Sequence, residues 1–76
     1  MQTALFRLGA IVATPDFLNV IPRQVMVQAI KRHATEPRPV RDGLPILSDY
    51  VHDHRAFYLL TDAERLQTAI RLAGEA

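Results

Sequence analysis

The sequence predicts an α+β fold, and three observations lead to that prediction. A stretch near the middle has the periodicity of an amphipathic helix, two later runs are rich in strand-forming residues, and 49% of the 76 residues are hydrophobic. This composition is typical of a globular chain, and the length leaves room for one core only. We therefore expect residues 1–76 to form a single small globular domain.

A short strand and a short helix are predicted at the N-terminal end. The segment from Ala4 to Ala13 mixes β-branched and aliphatic residues around Gly9, which indicates a strand with a break at the glycine. The Thr-Pro-Asp sequence at 14–16 then supplies an N-cap, a proline at the first helical position and an acid in the first turn. Pro22 ends this helix, because proline restricts the residue before it to extended conformations.

A second, longer helix is predicted over about Pro22 to Ala34. At 100° per residue, its apolar side chains share one wide face and its polar side chains the opposite one. His33 points into the middle of the apolar face, so we expect it to be buried and hydrogen-bonded as a structural residue. The apolar face comprises Val25, Met26, Ala29, Ile30 and Ala34, and the polar arc comprises Gln24, Gln28, Lys31 and Arg32.

Two strand-forming runs, Pro45–Tyr50 and Ala56–Leu60, follow a loop rich in proline and glycine. They are separated by five residues, 51–55, a polar link of hairpin length, so we expect an antiparallel β-hairpin. The C-terminal segment is ambiguous from its local pattern. Thr61–Glu64 forms a capping box that favours a helix, whereas alternation over residues 66–72 also fits a strand.

Residue types that carry catalysis are scarce in this chain. It has no cysteine, and its one serine, Ser48, lies inside a predicted strand without the sequence context of a nucleophile. His52 and His54 are close in sequence, but two ligands do not make a zinc site. The glycines are isolated and form no phosphate-binding loop. We therefore expect no enzyme activity, no metal and no cofactor.

The charge is distributed unevenly, although the net charge is only +1. Residues 23–41 contain five basic side chains and one acidic one, whereas residues 42–76 contain three basic and six acidic ones. The basic stretch could contact phosphates, although a solvated helix face is the ordinary explanation. An exposed aromatic beside Arg55 would suit a protein interface. The predicted partner-binding residues are Arg23, Lys31, Arg32, Arg38, Arg41, Arg55 and Tyr58, and the predicted structural residues are His33, Thr14 and Pro15.

Several motifs taken together resemble a family of short bacterial proteins that are associated with plasmids and integrated mobile elements. The residues that carry the resemblance are Leu8 to Pro15, Arg32-His33, Ile46-Leu47-Ser48 with Tyr50, and the turn from Leu60 to Arg65. Members carry names such as plasmid-related protein or a type I restriction subunit label, and their function is unassigned. The resemblance implies that Gln67 to Leu72 is a third strand behind a turn at Asp62 to Arg65, and we adopt that prediction.

The function expected from the resemblance, the size and the lack of catalytic groups is non-enzymatic protein binding. The protein would be an accessory protein of a mobile genetic element, and an inhibitor of a host defence complex, of the anti-CRISPR or anti-restriction type, is one concrete version. The alternative is a small nucleic-acid-binding regulator that uses residues 23–41. A cytoplasmic location without membrane contact is expected, and a homodimer through the free edge of the sheet is compatible with either function.

The predicted core consists of apolar residues from every element. It comprises Leu8, Ile11, Phe17, Leu18, Val25, Met26, Ile30, Leu47, Phe57, Leu59 and Ile70.

Overall fold

A computed structural model describes residues 4–75 of the chain and has an α+β fold. The order of elements is β1, α1, α2, β2, β3 and β4. Their bounds are β1 Ala10–Ala13, α1 Pro15–Val20, α2 Arg23–Thr35, β2 Ile46–His52, β3 Arg55–Thr61 and β4 Gln67–Leu72.

The four strands form one mixed sheet in the order β1-β4-β3-β2. Strands β2, β3 and β4 are antiparallel neighbours, whereas β1 pairs in parallel with β4. The prediction of a hairpin with a third strand is corrected here, because the N-terminal strand joins the same sheet as a fourth strand. The two helices between β1 and β2 make the long connection that carries the chain to the opposite edge of the sheet.

Local capping explains the first helix. The Thr14 hydroxyl accepts a hydrogen bond from the Phe17 amide at 3.3 Å, and Pro15 occupies the first helical turn. Pro22 occupies the N-cap position of α2, where its carbonyl accepts hydrogen bonds from the amides of Val25 and Met26. The first helix therefore begins and ends, and the second helix begins, close to where the prolines predict.

The β2–β3 hairpin is tighter than the sequence predicts. His52 pairs with Arg55, so only Asp53 and His54 form the loop, and both have positive φ angles of 50° and 64°. Two consecutive residues with positive φ are the mark of a type I′ turn, whose twist matches that of the flanking strands. The predicted five-residue link is wrong, because residues 51, 52 and 55 continue the ladder.

The C-terminal segment is a strand, as the resemblance implies, and the capping-box helix is wrong. Asp62 accepts hydrogen bonds at its side chain from the amides of Leu66 and Gln67, which closes a turn instead of starting a helix. Arg65 has a φ of 61° in that turn. The Thr61 hydroxyl is buried in a tertiary network and is not available as a helix cap.

Gly9 separates the N-terminal segment from β1. Its φ is +68°, and a Cβ at this position would lie 2.3 Å from the backbone carbonyl of Leu66. No other residue type fits such a close approach of two backbones. The predicted break is therefore real, and the strand begins only at Ala10.

Both helices pack on one face of the sheet and enclose the apolar core. The core cluster consists of Phe17, Ile21, Ala29, Phe57, Leu59 and Ile70, with Val25, Met26 and Ile30 packed against it. Among the predicted core residues, Ile11, Leu18 and Leu47 are wrong, because all three are exposed by more than 40%. Leu47 alternates with the buried Ile46 and lies on the opposite face of β2, and Leu18 lies on the solvent side of α1.

Candidate functional site

A chain of buried polar side chains runs beneath the C-terminal end of α2. The imidazole of His33 is fully buried, and its Nδ1 lies 2.6 Å from the Ser48 Oγ while its Nε2 lies 2.8 Å from the Thr61 Oγ1. The Thr61 and Thr68 hydroxyls are 2.7 Å apart. The helix, β2, β3 and β4 are thus joined by one hydrogen-bonded network in the interior.

The ends of this network determine the direction of every hydrogen bond within it. Thr68 donates its one proton to the Leu8 carbonyl, so it accepts from Thr61. Thr61 therefore accepts from His33 Nε2–H, and the neutral imidazole has a free Nδ1 that accepts from Ser48. At the outer end, Arg38 Nη2 donates to the Ser48 Oγ at 2.8 Å. Each hydroxyl donates once and accepts once or more, so the buried network is fully satisfied.

Burial and, secondly, the positive charge of Arg38 lower the pKa of His33 to about 4. The neutral imidazole is the form that the hydrogen-bond directions require. Ser48 and His33 have the spacing of a nucleophile and its base, yet the second imidazole nitrogen meets a hydroxyl where a catalytic triad has a carboxylate. A base with a pKa of about 4 is also poorly matched to proton transfer near neutral pH. The arrangement is suited to ordering the fold.

A groove lies between the C-terminal end of α2 and strand β2. It has a volume of about 320 Å³ and is lined by Arg32, Glu36, Pro37, Arg38, Leu47, Ser48, Asp49 and Tyr50. The Arg32 guanidinium stacks over the Tyr50 ring at 4.9 Å. Two polar atoms in the wall, Arg38 Nε and the Tyr50 hydroxyl, are buried with no hydrogen-bond partner among the described residues. Hydrogen-bonding capacity is therefore unused on this side of the molecule.

Strand β2 is an edge of the sheet, and its residues 47–50 line this groove. In a hairpin with a two-residue turn, the residues that flank the turn, here His52 and Arg55, form a hydrogen-bonded pair. Hydrogen-bonded and non-hydrogen-bonded pairs then alternate along the antiparallel ladder. The amide and carbonyl groups of Leu47, Asp49 and Val51 consequently point away from β3. Arg38 Nη1 donates to the Leu47 carbonyl at 3.1 Å, in agreement with this assignment.

The structure brings together only part of the predicted partner-binding set. Arg32 and Arg38 line the groove, whereas Arg23 and Lys31 are exposed elsewhere on α2 and Arg41 is exposed in the following loop. Arg55 is exposed at the start of β3, and Tyr58 lies on the sheet face opposite the helices. The basic residues of 23–41 are therefore divided among several surfaces, and Arg38 is engaged in contacts within the protein.

Sequence reasoning predicted a free sheet edge and a hydrogen-bonded His33, but it did not identify β2 as the edge beside the groove or the hydroxyl groups that bind His33. Thr61 and Thr68 are both buried. The sequence could have indicated their position only through the assignment of residues 67–72 as a strand, whose alternation places Thr68 on the same face as Ile70. Among residues 4–75 no group of three or more His, Cys, Asp or Glu side chains could hold a metal ion. No helix of the described residues is long and apolar enough to cross a membrane.

Comparisons with models of protein families, with curated proteins and with solved structures found no match to this chain.

Proposed function

We propose that this protein is a non-enzymatic binding module that takes an extended segment of a partner protein into the groove between α2 and β2. The observation that carries the proposal is the free edge of β2. The outward amide and carbonyl groups of Asp49, a residue that lines the groove, belong to this edge, and Val51 continues it. An added strand pairs with such an edge through its own backbone, while a neighbouring groove receives alternate side chains.

One side chain of the groove, Arg32, favours a partner segment that presents a carboxylate or amide oxygen to it. The Arg38 guanidinium lies 3.7 Å from Glu36, which is an ion pair at the rim. Arg32 is held above Tyr50 and has no carboxylate partner among the described residues. Arginine in that position offers a fork of donors to a carboxylate or carbonyl. Arg32 is therefore the residue of the groove that we expect to contact the incoming segment.

Three features support a binding role without catalysis. The serine–histidine pair is engaged in a closed structural network, Ser48 is only 7% exposed, and the low pKa of His33 makes it a weak base. The resemblance to mobile-element proteins supports a narrower version, in which the partner is a component of a host defence complex.

A nucleic-acid-binding role has less support from the groove. The groove contains Glu36 and Asp49 beside its two arginines, and carboxylates repel phosphates. Arg23, Lys31 and Arg41 would have to contact phosphates from separate surfaces. Binding of DNA or RNA at low salt that weakens when Lys31 and Arg32 are replaced together would favour this function over strand addition.

Selection from a displayed library of random linear peptides of about 12 residues tests strand addition directly. The discriminating variant is Asp49→Pro, which removes the outward amide of the edge without touching the β2–β3 ladder, a position where a strand tolerates proline. The matched control is Asp49→Ala, which removes the carboxylate and keeps the amide. We expect selected peptides to lose about tenfold or more in affinity for D49P and to keep their affinity for D49A.

Both variants should keep the circular-dichroism spectrum and melting behaviour of the parent protein. Peptides that bind D49P as tightly as the parent protein would contradict strand addition at β2. Failure to select any peptide would contradict it as well, since the groove would then have no affinity for extended chains.

A further inference from the structure

Within residues 4–75, the face of the sheet that points away from the helices is uncovered and carries apolar side chains in register. The pairing of the strands places Val12, Ala69, Leu60 and Leu47 in one row that crosses all four strands. In this row Val12 and Leu47 are about half exposed, at 48% and 53%. An open sheet face is ordinarily polar at such positions. This row therefore has the character of a protein contact surface.

A second row lies beside the apolar one and has opposite charges at its two ends. Arg71 on β4 pairs with Tyr58 on β3, which pairs with Asp49 on β2. Arg71 and Asp49 are exposed, and neither forms an ion pair with another described residue. Tyr58 is at the centre of the row, and β3 is flanked by β4 on one side and β2 on the other.

This pattern is complementary to itself under a two-fold rotation. If two copies face each other with the axis roughly parallel to β3, then β3 lies over β3, and β4 lies over β2 of the second copy. Over β4, β3 and β2, each row then meets its own copy in reverse order, and Val12 on β1 lies outside the overlap. Arg71 faces Asp49 of the second copy, and the same contact occurs twice because the interface is isologous.

The apolar row matches itself in the same arrangement. Leu60 faces Leu60 of the second copy, and the small side chain of Ala69 faces the large side chain of Leu47. Small residues opposite large ones allow two sheet faces to interdigitate, as they do when sheets pack about 10 Å apart. The pairing of Arg71 with Asp49 and the pairing of Ala69 with Leu47 thus both favour a two-fold axis parallel to β3.

We propose that the uncovered sheet face binds a second copy of this chain, with the two-fold axis along β3. This face shares Leu47 and Asp49 with the rim of the groove between α2 and β2. The dimer depends on side chains that cross the sheet face, whereas strand addition depends on the backbone of the β2 edge, so each proposal can fail without the other. The three overlapping strands cover roughly 14 by 24 Å, from about 4.8 Å between strands and about 3.4 Å per residue. That area is below the standard of about 800 Å² per partner, so we expect a reversible dimer with a dissociation constant in the micromolar range.

Charge reversal tests both the dimer and its axis. Sedimentation velocity of the full chain from about 5 to about 500 µM should show a monomer–dimer equilibrium for the parent protein. In Arg71→Asp, the new carboxylate faces Asp49 of the second copy, and in Asp49→Arg two arginines face each other. We expect each variant alone to dimerise about tenfold more weakly or worse, because the repulsion occurs twice.

An equimolar mixture of the two variants is the decisive sample. In the mixed pair, the aspartate at position 71 faces the arginine at position 49, and the native Asp49 faces the native Arg71. We expect the mixture to recover dimerisation to within about threefold of the parent protein. The recovery also shows that both variants are folded. Leu60→Gln serves as a separate variant that should weaken the dimer without changing charge.

Three results would overturn the proposal. The parent protein could remain monomeric at about 500 µM. The dimer could be insensitive to both charge reversals, which would locate it on another surface, such as a sheet edge. The mixture could fail to recover, which would exclude the two-fold axis along β3.

Discussion

The two faces of the sheet are built from similar residues but have opposite surroundings. Along β3, Phe57, Leu59 and Thr61 point to the helices and are at most 2% exposed. The alternate residues, Tyr58 and Leu60, point to the uncovered face, where Leu60 is 37% exposed. Leucine occurs on both faces, so hydrophobicity alone does not determine which face is the core. The position of the helices determines which face is buried, because they exclude water from one face of the sheet only.

The covered face itself has two parts that hold the sheet to the helices by different means. Near α1 the contacts are apolar, with the Phe17 and Phe57 rings 5.2 Å apart in an edge-to-face arrangement. Near the C-terminal end of α2 the contacts are the hydrogen bonds of His33. Apolar packing tolerates small shifts of the helix on the sheet, whereas a network of hydrogen bonds requires each donor and acceptor to lie in one position. We infer that the polar part fixes the register of α2 on the sheet.

Truncation to alanine of one β3 residue from each face should give the largest difference in the free energy of unfolding between the two faces. Phe57→Ala removes a buried ring from the core, and we expect it to lower the free energy of unfolding by about 3–5 kcal/mol. Leu60→Ala, three residues along on the open face, should cost less than about 1 kcal/mol at concentrations at which the protein is monomeric. Urea denaturation followed by circular dichroism measures both. Equal losses for the two variants would mean that the open face is covered in solution.

Acid should weaken the polar part of the covered face. The pKa of His33 is about 4 in the folded protein and about 6.5 in the unfolded chain. The unfolded state therefore binds more protons between these values, so stability is complete above about pH 6.5 and falls as the pH decreases toward 4. We expect a loss of about 2 kcal/mol between about pH 7.5 and about pH 5.

The matched control for this pH dependence is His33→Gln, which keeps a donor and an acceptor but does not titrate. Its stability should be nearly independent of pH over the same window. If His33→Gln retains the parent slope, the slope comes from other groups and the assignment to His33 is wrong.

Removal of one buried hydroxyl should have a smaller effect. Thr61→Val keeps the shape of the side chain, but it leaves His33 Nε2–H without an acceptor and Thr68 without a donor. We expect a loss of about 1–2 kcal/mol in the free energy of unfolding. Thr35→Val is the comparison, because the Thr35 hydroxyl donates to the Lys31 carbonyl in an exposed bond. A loss for T61V no larger than that for T35V would show that the buried chain contributes little.

Local sequence signals predict the elements of this fold well where a specific residue imposes a backbone conformation. Thr14, Pro15 and Pro22 set the bounds of the helices, and Gly9 sets the start of β1. The face of α2 is also predicted, including the burial of His33. The hairpin was predicted, but its two-residue turn was not, because Asp53 and His54 do not have the Asn-Gly or Asp-Gly signature of a type I′ turn.

The candidate sites were harder to predict, because they depend on which strands become neighbours. The residues of the open face alternate with core residues, and a local pattern does not tell which set the helices cover. Leu47 was therefore placed in the core, whereas Ile46 occupies it. The groove was missed for a related reason, since it exists only where α2 meets the free edge of β2.

The sequence by itself determined the α+β class, the two helices and the burial of an imidazole, because prolines, caps and helical periodicity act over a few neighbouring residues. The tertiary structure decided that β1 lies beside β4, that β2 is a free edge, and that Arg71, Tyr58 and Asp49 form one row. These features join residues that are distant along the chain. Their pairing follows from the packing of the whole sheet under its helices, which no local pattern records.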